Sequence, residues 1–198
     1  MIVNRFRPIV TLFLLFLTTS TFAQINVLKT DLFGFLRGRK NFTYERSFFD
    51  KFSGAITYDN QVFSTGEQNG QNIYELVGKG FLLEARYYPL NNRKLAPFGF
   101  FIGTSYRNMN VVESYTPNNI RVEGKVHNYT LISGYKFTFE RVAFEVLGGY
   151  GVGDSSDFDK EERQNIDPFF ADDKIAILES GIRIEVSFGI YFPKLKKL

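Results

Sequence analysis

A strict alternation of apolar and polar residues near the C-terminus constrains the fold more than any other feature. In residues 177–192, every second residue except Ser180 is apolar, and the intervening positions include Glu179, Arg183 and Glu185. A helix would distribute these charges around its circumference, whereas a strand places all of them on one face. The segment is therefore predicted to be a strand with one apolar and one charged face.

Seven further segments alternate in the same way. They lie at residues 26–35, 40–49, 52–63, 73–88, 98–107, 128–139 and 144–153. Connections at one end are short or moderate, at 50–51, 89–97 and 140–141. Those at the other end are mostly long and polar, at 36–39, 64–72, 116–124 and 154–174. This asymmetry is typical of outer-membrane barrels, so we predict an all-β fold, an eight-stranded antiparallel up-and-down transmembrane β-barrel.

The charges of these segments fall on one face, opposite a face of Phe, Tyr, Leu, Ile and Val. They are Lys29, Asp31, Glu45, Glu84, Arg86, Arg107, Lys136, Glu145, Glu179, Arg183 and Glu185. A soluble, lipocalin-like ligand carrier would turn the aromatic face inward, but an eight-stranded lumen is too narrow for so many rings. The charges are therefore predicted to face the lumen and to pair there as a closed, salt-bridged plug.

The N-terminus has the pattern of an export signal. Arg5 and Arg7 precede an apolar core over residues 9–17, and Thr21 and Ala23 place small residues at a cleavage site before Gln24. We predict a cleaved signal peptide at 1–23, the barrel at 24–193 and a short periplasmic tail at 194–198. The predicted location is the outer membrane of a Gram-negative bacterium, where the partners are membrane lipid and lipopolysaccharide.

Composition excludes several classes of function. The chain has no Cys and one His, which excludes disulfides, thiolate metal sites, a cysteine nucleophile and a multi-histidine metal site. Removing the signal leaves 22 basic against 21 acidic residues, too even a balance for a nucleic-acid partner. No cofactor is predicted.

Several motifs resemble one known family. They are Lys29-Thr30-Asp31-Leu32, Asn41 to Glu45, Arg86-Tyr87-Tyr88 and Gly134-Tyr135. In this order and spacing the chain resembles a family of small outer-membrane barrels that carries only a domain-of-unknown-function label, although Asp31 replaces the usual Asn. The resemblance implies an OmpA-like eight-stranded barrel and no assigned activity.

His127 is the one weak catalytic candidate. Its place at the loop end of the sixth strand resembles that of the lipid A deacylases, barrel enzymes whose lipid-facing histidine is followed by a serine at i+2. Here i+2 is Tyr129, and Ser133 lies about 20 Å away at the rise of a strand. A serine on a neighbouring strand stays open, but we expect an interfacial structural histidine.

The last loop holds the weak metal candidates Asp154, Asp157 and Asp159, because clustered carboxylates suit Ca²⁺ or Mg²⁺. The spacing lacks the glycine and the downstream glutamate of an EF-hand, so no metal site is predicted. Exposed aromatics can mark a partner surface, and Phe158 and Phe169 make loop 154–174 a candidate protein contact.

The sequence thus predicts a non-enzymatic outer-membrane barrel that acts as a structural, accessory or surface-binding protein through its extracellular loops. The alternatives are a lipid A-modifying enzyme that uses His127, a narrow channel, and the soluble ligand carrier.

Overall fold

The computed structural model describes residues 26–36, 38–68, 71–91, 98–156 and 181–192. These form eight antiparallel strands in chain order, and the first strand pairs with the last to close a barrel. The strands are β1 (Asn26–Asp31), β2 (Lys40–Phe49), β3 (Phe52–Gln68), β4 (Gln71–Tyr87), β5 (Gly99–Tyr115), β6 (Ile120–Phe139), β7 (Val142–Ser156) and β8 (Arg183–Phe192). The predicted all-β, eight-stranded antiparallel barrel is confirmed. The predicted signal peptide and tail lie outside the described residues.

The tight connections are those expected from the alternation. β2 has the predicted bounds, and two-residue turns at 50–51 and 140–141 join β2 to β3 and β6 to β7. In the second turn Glu140 takes a positive φ of 49°. We call this end of the barrel, which also carries the start of β1 and the finish of β8, the turn end, and the opposite end the loop end.

The prediction that the first strand reaches residue 35 is wrong. The chain leaves β1 at Asp31 and forms a short helix, α1 (Leu32–Leu36). The Asp31 carboxylate accepts the Phe33 N–H at 3.1 Å and the Val186 N–H at 3.3 Å, so it both starts the helix and ties it to β8. A Cβ on Gly34 would lie 2.5 Å from the Asp31 carboxylate, so the helix needs glycine there.

Two predicted loops are mostly strand. β3 continues to Gln68 and β4 begins at Gln71, and the two are paired there, so 64–68 and 71–72 are strand rather than loop. β6 begins at Ile120, directly after a 3₁₀ turn over Thr116–Asn118 and the left-handed Asn119 with φ 52°, so 116–124 is a short turn and a strand. The strands β3–β6 therefore extend well past their neighbours at the loop end.

The inner face changes from charged to apolar in this extension, and the outer face becomes mixed, with Val77 and Val112 beside charged residues. Inside it, buried apolar side chains form a cluster of Tyr74, Leu76, Met109, Val111, Val122 and Val126. Outside it, Arg121 and Glu123 are exposed and form an ion pair at 2.8 Å. Nearer the turn end, charged side chains lie inside and apolar side chains lie outside. The polar outer residues explain why this part of the sequence was interpreted as loop.

The barrel interior is layered along its axis. Two apolar clusters fill it towards the turn end, one with Val27, Ala143 and Tyr191 and one with Tyr88, Phe101, Ile132 and Leu147. Charged side chains fill the middle, and the apolar cluster of the extension lies nearest the loop end. Among the described residues, no helix is long and apolar enough to cross a bilayer.

Candidate functional site

A continuous ion network occupies the middle of the barrel. Its members are Lys29, Asp31, Arg39, Glu45, Asp59, Glu84, Arg86, Arg107, Lys136, Glu145, Arg183 and Glu185. All eight strands contribute, and Arg39 comes from the connection between α1 and β2. Six cations face six carboxylates, so the network has no net formal charge. Each member except Arg39 is at most 6% exposed.

The part nearer the turn end is built around two carboxylates. Lys29 Nζ lies 2.8 Å from Glu45 and 3.1 Å from Glu145. Arg86 donates to Glu145 at 2.7 Å and lies 3.4 Å from Glu45. Lys136 completes the set with a short contact to Glu45. Three cations therefore share two carboxylates, and the third negative charge comes from Glu84, which also contacts Arg86.

Two aromatic rings of the neighbouring apolar cluster lie against the cations of this part. The Arg86 guanidinium lies 4.7 Å from the ring centre of Phe101, and Lys136 Nζ lies 5.1 Å from that of Tyr88. Tyr88 also donates its hydroxyl to Glu45 at 3.1 Å. Cation–π contacts strengthen when water is excluded, so the apolar cluster and the ion network stabilise each other.

The part nearer the loop end is organised by arginines. Arg183 donates to Glu84 at 2.6 Å and to Glu185 at 2.5 Å. Arg39 contacts Glu185 at 3.1 Å and makes a bidentate pair with Asp59, at 2.7 and 2.8 Å. Burial acts to lower the pKa of the Arg39 guanidinium, but the carboxylates of Glu185 and Asp59 raise it above its ordinary value. Arg39 therefore stays charged at the rim of the network.

Most of this network was predicted from the sequence. Ten of the eleven predicted lumen residues belong to it, and the eleventh, Glu179, lies outside the described residues. Arg39 and Asp59 were missed. Arg39 lies in a predicted loop, so the alternation could not identify it. Asp59 follows Ser53, Ala55 and Thr57 at every second position of β3, and this alternation could have identified it as an inward residue.

The outer wall has an apolar band that is bordered towards the loop end by a row of polar residues. We define the polar rung as Lys40, Asn60, Lys79, Asn110 and Lys125, which pair in register from β2 to β6. Between this rung and the turn end, most outward side chains are aromatic or aliphatic, and the one basic exception away from the rung is Arg46, near the turn end of β2. Leu131 and Tyr150, for example, are each 71% exposed. Such a wide exposed apolar surface marks contact with a partner or a membrane.

His127 lies on this outer wall beside the polar rung and is half-buried. Its Nδ1 is 3.1 Å from the Tyr106 hydroxyl, and the two rings are stacked. The residues directly opposite it on β5 and β7 are Asn108 and Asp154. Among the described side chains no serine or threonine is hydrogen-bonded to His127, so the structure gives no pairing of base and nucleophile there.

The weak metal candidates are not brought together by the described part of the chain. Asp154 is exposed on β7, whereas Asp157 and Asp159 lie outside the described residues, as does most of loop 154–174. Within the residues that the structure describes, no group of three or more His, Cys, Asp or Glu side chains could hold a metal ion.

No protein-family model matches the chain, and neither does any curated protein or solved structure. The resemblance to the family of small outer-membrane barrels therefore stays a prediction, and function is argued from the geometry alone.

Proposed function

We propose that this chain is a non-enzymatic outer-membrane barrel with a closed lumen, which serves as a structural or accessory protein of the envelope. The observation that carries the proposal is the inverted polarity of the barrel. Charged side chains are buried in the lumen and apolar ones are exposed around the whole circumference. A barrel in water would leave this apolar surface without a partner, whereas a bilayer covers it.

The height of the apolar band supports a transmembrane position. On β6 the outward apolar positions run from Tyr129 to Phe139, with Ser133 the one polar member. Such a run of eleven residues spans about 36 Å along a strand, which at a tilt of about 45° gives a height of about 25 Å. Outer-membrane barrels have an apolar band of about this height.

The interior argues against the two transport alternatives. A lipocalin-like carrier needs an apolar lumen with room for a ligand, but here the lumen contains paired charges and packed rings. A channel needs a continuous water-filled path, whereas the ion network lies between apolar clusters at both ends. Interactions with other molecules are therefore expected at the outer wall and at the loop end.

Arginine substitution on the outer wall tests the membrane position. At the middle of the apolar band Leu131→Arg places a charge in the hydrocarbon, which costs about 2–4 kcal/mol near the bilayer centre and less towards the interfaces. The matched control is Asn110→Arg, which adds the same charge on the polar rung. Stability is measured by urea titration of protein refolded into lipid vesicles. The proposal predicts a large loss for Leu131→Arg and a change within about 0.5 kcal/mol for the control.

Two further outcomes would contradict the proposal. One is equal stability of the two arginine variants, because in water both positions tolerate a charge. The other is a mature chain, beginning at Gln24, that stays monodisperse without detergent. The export part is checked by sequencing the N-terminus of protein recovered from the outer-membrane fraction, where we expect Gln24 as the first residue.

A further inference from the structure

A groove crosses the outer wall from β2 to β7 within the apolar band. It consists of two adjoining cavities of about 760 Å³ each, both lined by Ala85, Thr104 and Leu131. Ala85 and Thr104 face each other on neighbouring strands, and their short side chains form the floor. The size is that of a small-molecule site, and the lining is predominantly apolar. The shape and chemistry therefore suit an elongated apolar ligand.

Aromatic rings form both ends of the groove. Towards the turn end, Phe52 and Tyr87 lie with their ring centres 4.9 Å apart. Towards the loop end, Tyr106 and Tyr129 lie at the same separation of 4.9 Å, and the Tyr106 hydroxyl is turned to His127. The groove is thus apolar along its length and acquires hydrogen-bonding groups only at its loop end.

Polar and basic residues lie on the outer wall directly beyond the loop end of the groove. The next outward positions are Phe81, Asn108 and His127, and the positions after those are Lys79, Asn110 and Lys125 of the polar rung. Successive outward positions are about 7 Å apart along a strand, so both lysines lie within about 14 Å of the groove. Two carboxylates are also close, Asp154 opposite His127 and Glu123 in its ion pair with Arg121.

We propose that this groove binds one acyl chain of lipid A, with a phosphate of the same lipid held at Lys79 and His127. The inference rests on the proposed membrane position, which places the loop end in the outer leaflet. The apolar groove matches the acyl chain, and the basic rim matches a phosphate at the depth where the chain ends. The apolar groove alone would also accept an acyl chain of an uncharged or a singly charged lipid. The basic rim is the reason why we propose lipid A.

Native mass spectrometry of the detergent-solubilised protein measures the lipid that stays bound. Purified lipid A and, separately, phosphatidylglycerol are added to the wild-type chain. In Ala85→Phe a ring fills the floor of the groove, and Lys79→Glu reverses a charge at its rim. The matched controls are Ile184→Phe, on the exposed wall of β8, and Arg141→Glu, which makes the same change of charge at the turn end. Each variant is first shown to insert into lipid vesicles.

We expect Ala85→Phe to reduce the bound fraction of lipid A about tenfold and Lys79→Glu to reduce it three- to tenfold, while both controls bind like the wild type. Equal retention of lipid A by Ala85→Phe and Ile184→Phe would overturn the proposal. Retention of phosphatidylglycerol at the level of lipid A would also overturn it, because the wall would then bind membrane lipid without selection. Failure of the wild-type chain to insert into vesicles would instead refute the membrane position itself.

Discussion

Removing the charge of Glu45 perturbs the ion network at its most connected point. The Glu45 carboxylate contacts Lys29, Arg86 and Lys136, and all four side chains are buried. Glu45→Gln keeps the shape of the side chain but leaves three cations with Glu145 and Glu84 as the remaining carboxylates. The network then carries one uncompensated positive charge in a region without bulk water.

The expected cost follows from this burial. Breaking a buried ion pair by neutralising one partner costs about 3–5 kcal/mol, because the other charge stays desolvated. The amide oxygen of the introduced glutamine can still accept the hydrogen bonds from Ser53 at 2.7 Å and Tyr88 at 3.1 Å. These two bonds therefore add little to the cost of the substitution. We therefore expect Glu45→Gln to lower the free energy of unfolding by about 3–5 kcal/mol.

A compensating variant and a surface control separate charge balance from general damage. Glu45→Gln combined with Lys136→Met restores a neutral network and should recover at least about 1 kcal/mol relative to Glu45→Gln alone. Glu123→Gln removes a carboxylate from the exposed pair with Arg121 and should cost less than about 1 kcal/mol.

The assay is a urea titration of vesicle-refolded protein. The folded fraction is followed by tyrosine fluorescence, since the chain has 11 Tyr and no Trp. The reasoning would be refuted if Glu45→Gln cost no more than Glu123→Gln. It would also be refuted if adding Lys136→Met lowered stability further.

Three other predictions follow from separate features. Gly151→Ala should cost about 1–3 kcal/mol in the same titration, because its Cβ would lie 2.0 Å from the Tyr129 carbonyl oxygen, whereas Gly148→Ala, with nothing within 4 Å, should be neutral or slightly stabilising. His127→Ala should leave the acylation of lipid A unchanged when mass spectra of lipid from expressing cells are compared with wild type, and a shift in acyl number would support the enzymatic alternative. In planar bilayers the inserted wild-type chain should keep conductance at baseline, and discrete steps would contradict the closed lumen.

The half of the barrel nearer the turn end was predictable because its two faces differ strongly in chemistry. Residues such as Arg86, Lys136 and Glu145 alternate with aromatic and aliphatic positions, so the period of two identifies both the strand and its inner face. The tight turn at 50–51 follows from the same pattern. What the pattern could not supply is pairing between distant strands, such as Lys29 of β1 with Glu145 of β7.

The loop end was not predictable by the same criterion because its chemistry is different. Beyond the polar rung the outer face is mixed and the inner face carries Leu76, Met109 and Val122, so a search for inward charges stops too early. At α1 the local interaction of Asp31 with the Phe33 N–H overrides a run that alternates like a strand. In both places the local sequence was consistent with strand or loop, and tertiary context decided the outcome.

The even distribution of the ion network over all eight strands has a consequence for assembly. The hairpin of β2 and β3 does not bring its own balance, because it contributes Glu45 and Asp59 to the network, two negative charges without a cation. Glu45 is neutralised by Lys29 of β1 and Arg86 of β4, whereas Asp59 pairs with Arg39 and with Arg107 of β5. Pairs such as Lys29–Glu145 also join the first strand to the end of the chain. We therefore expect barrel closure to occur as a single late event rather than by strand-by-strand addition.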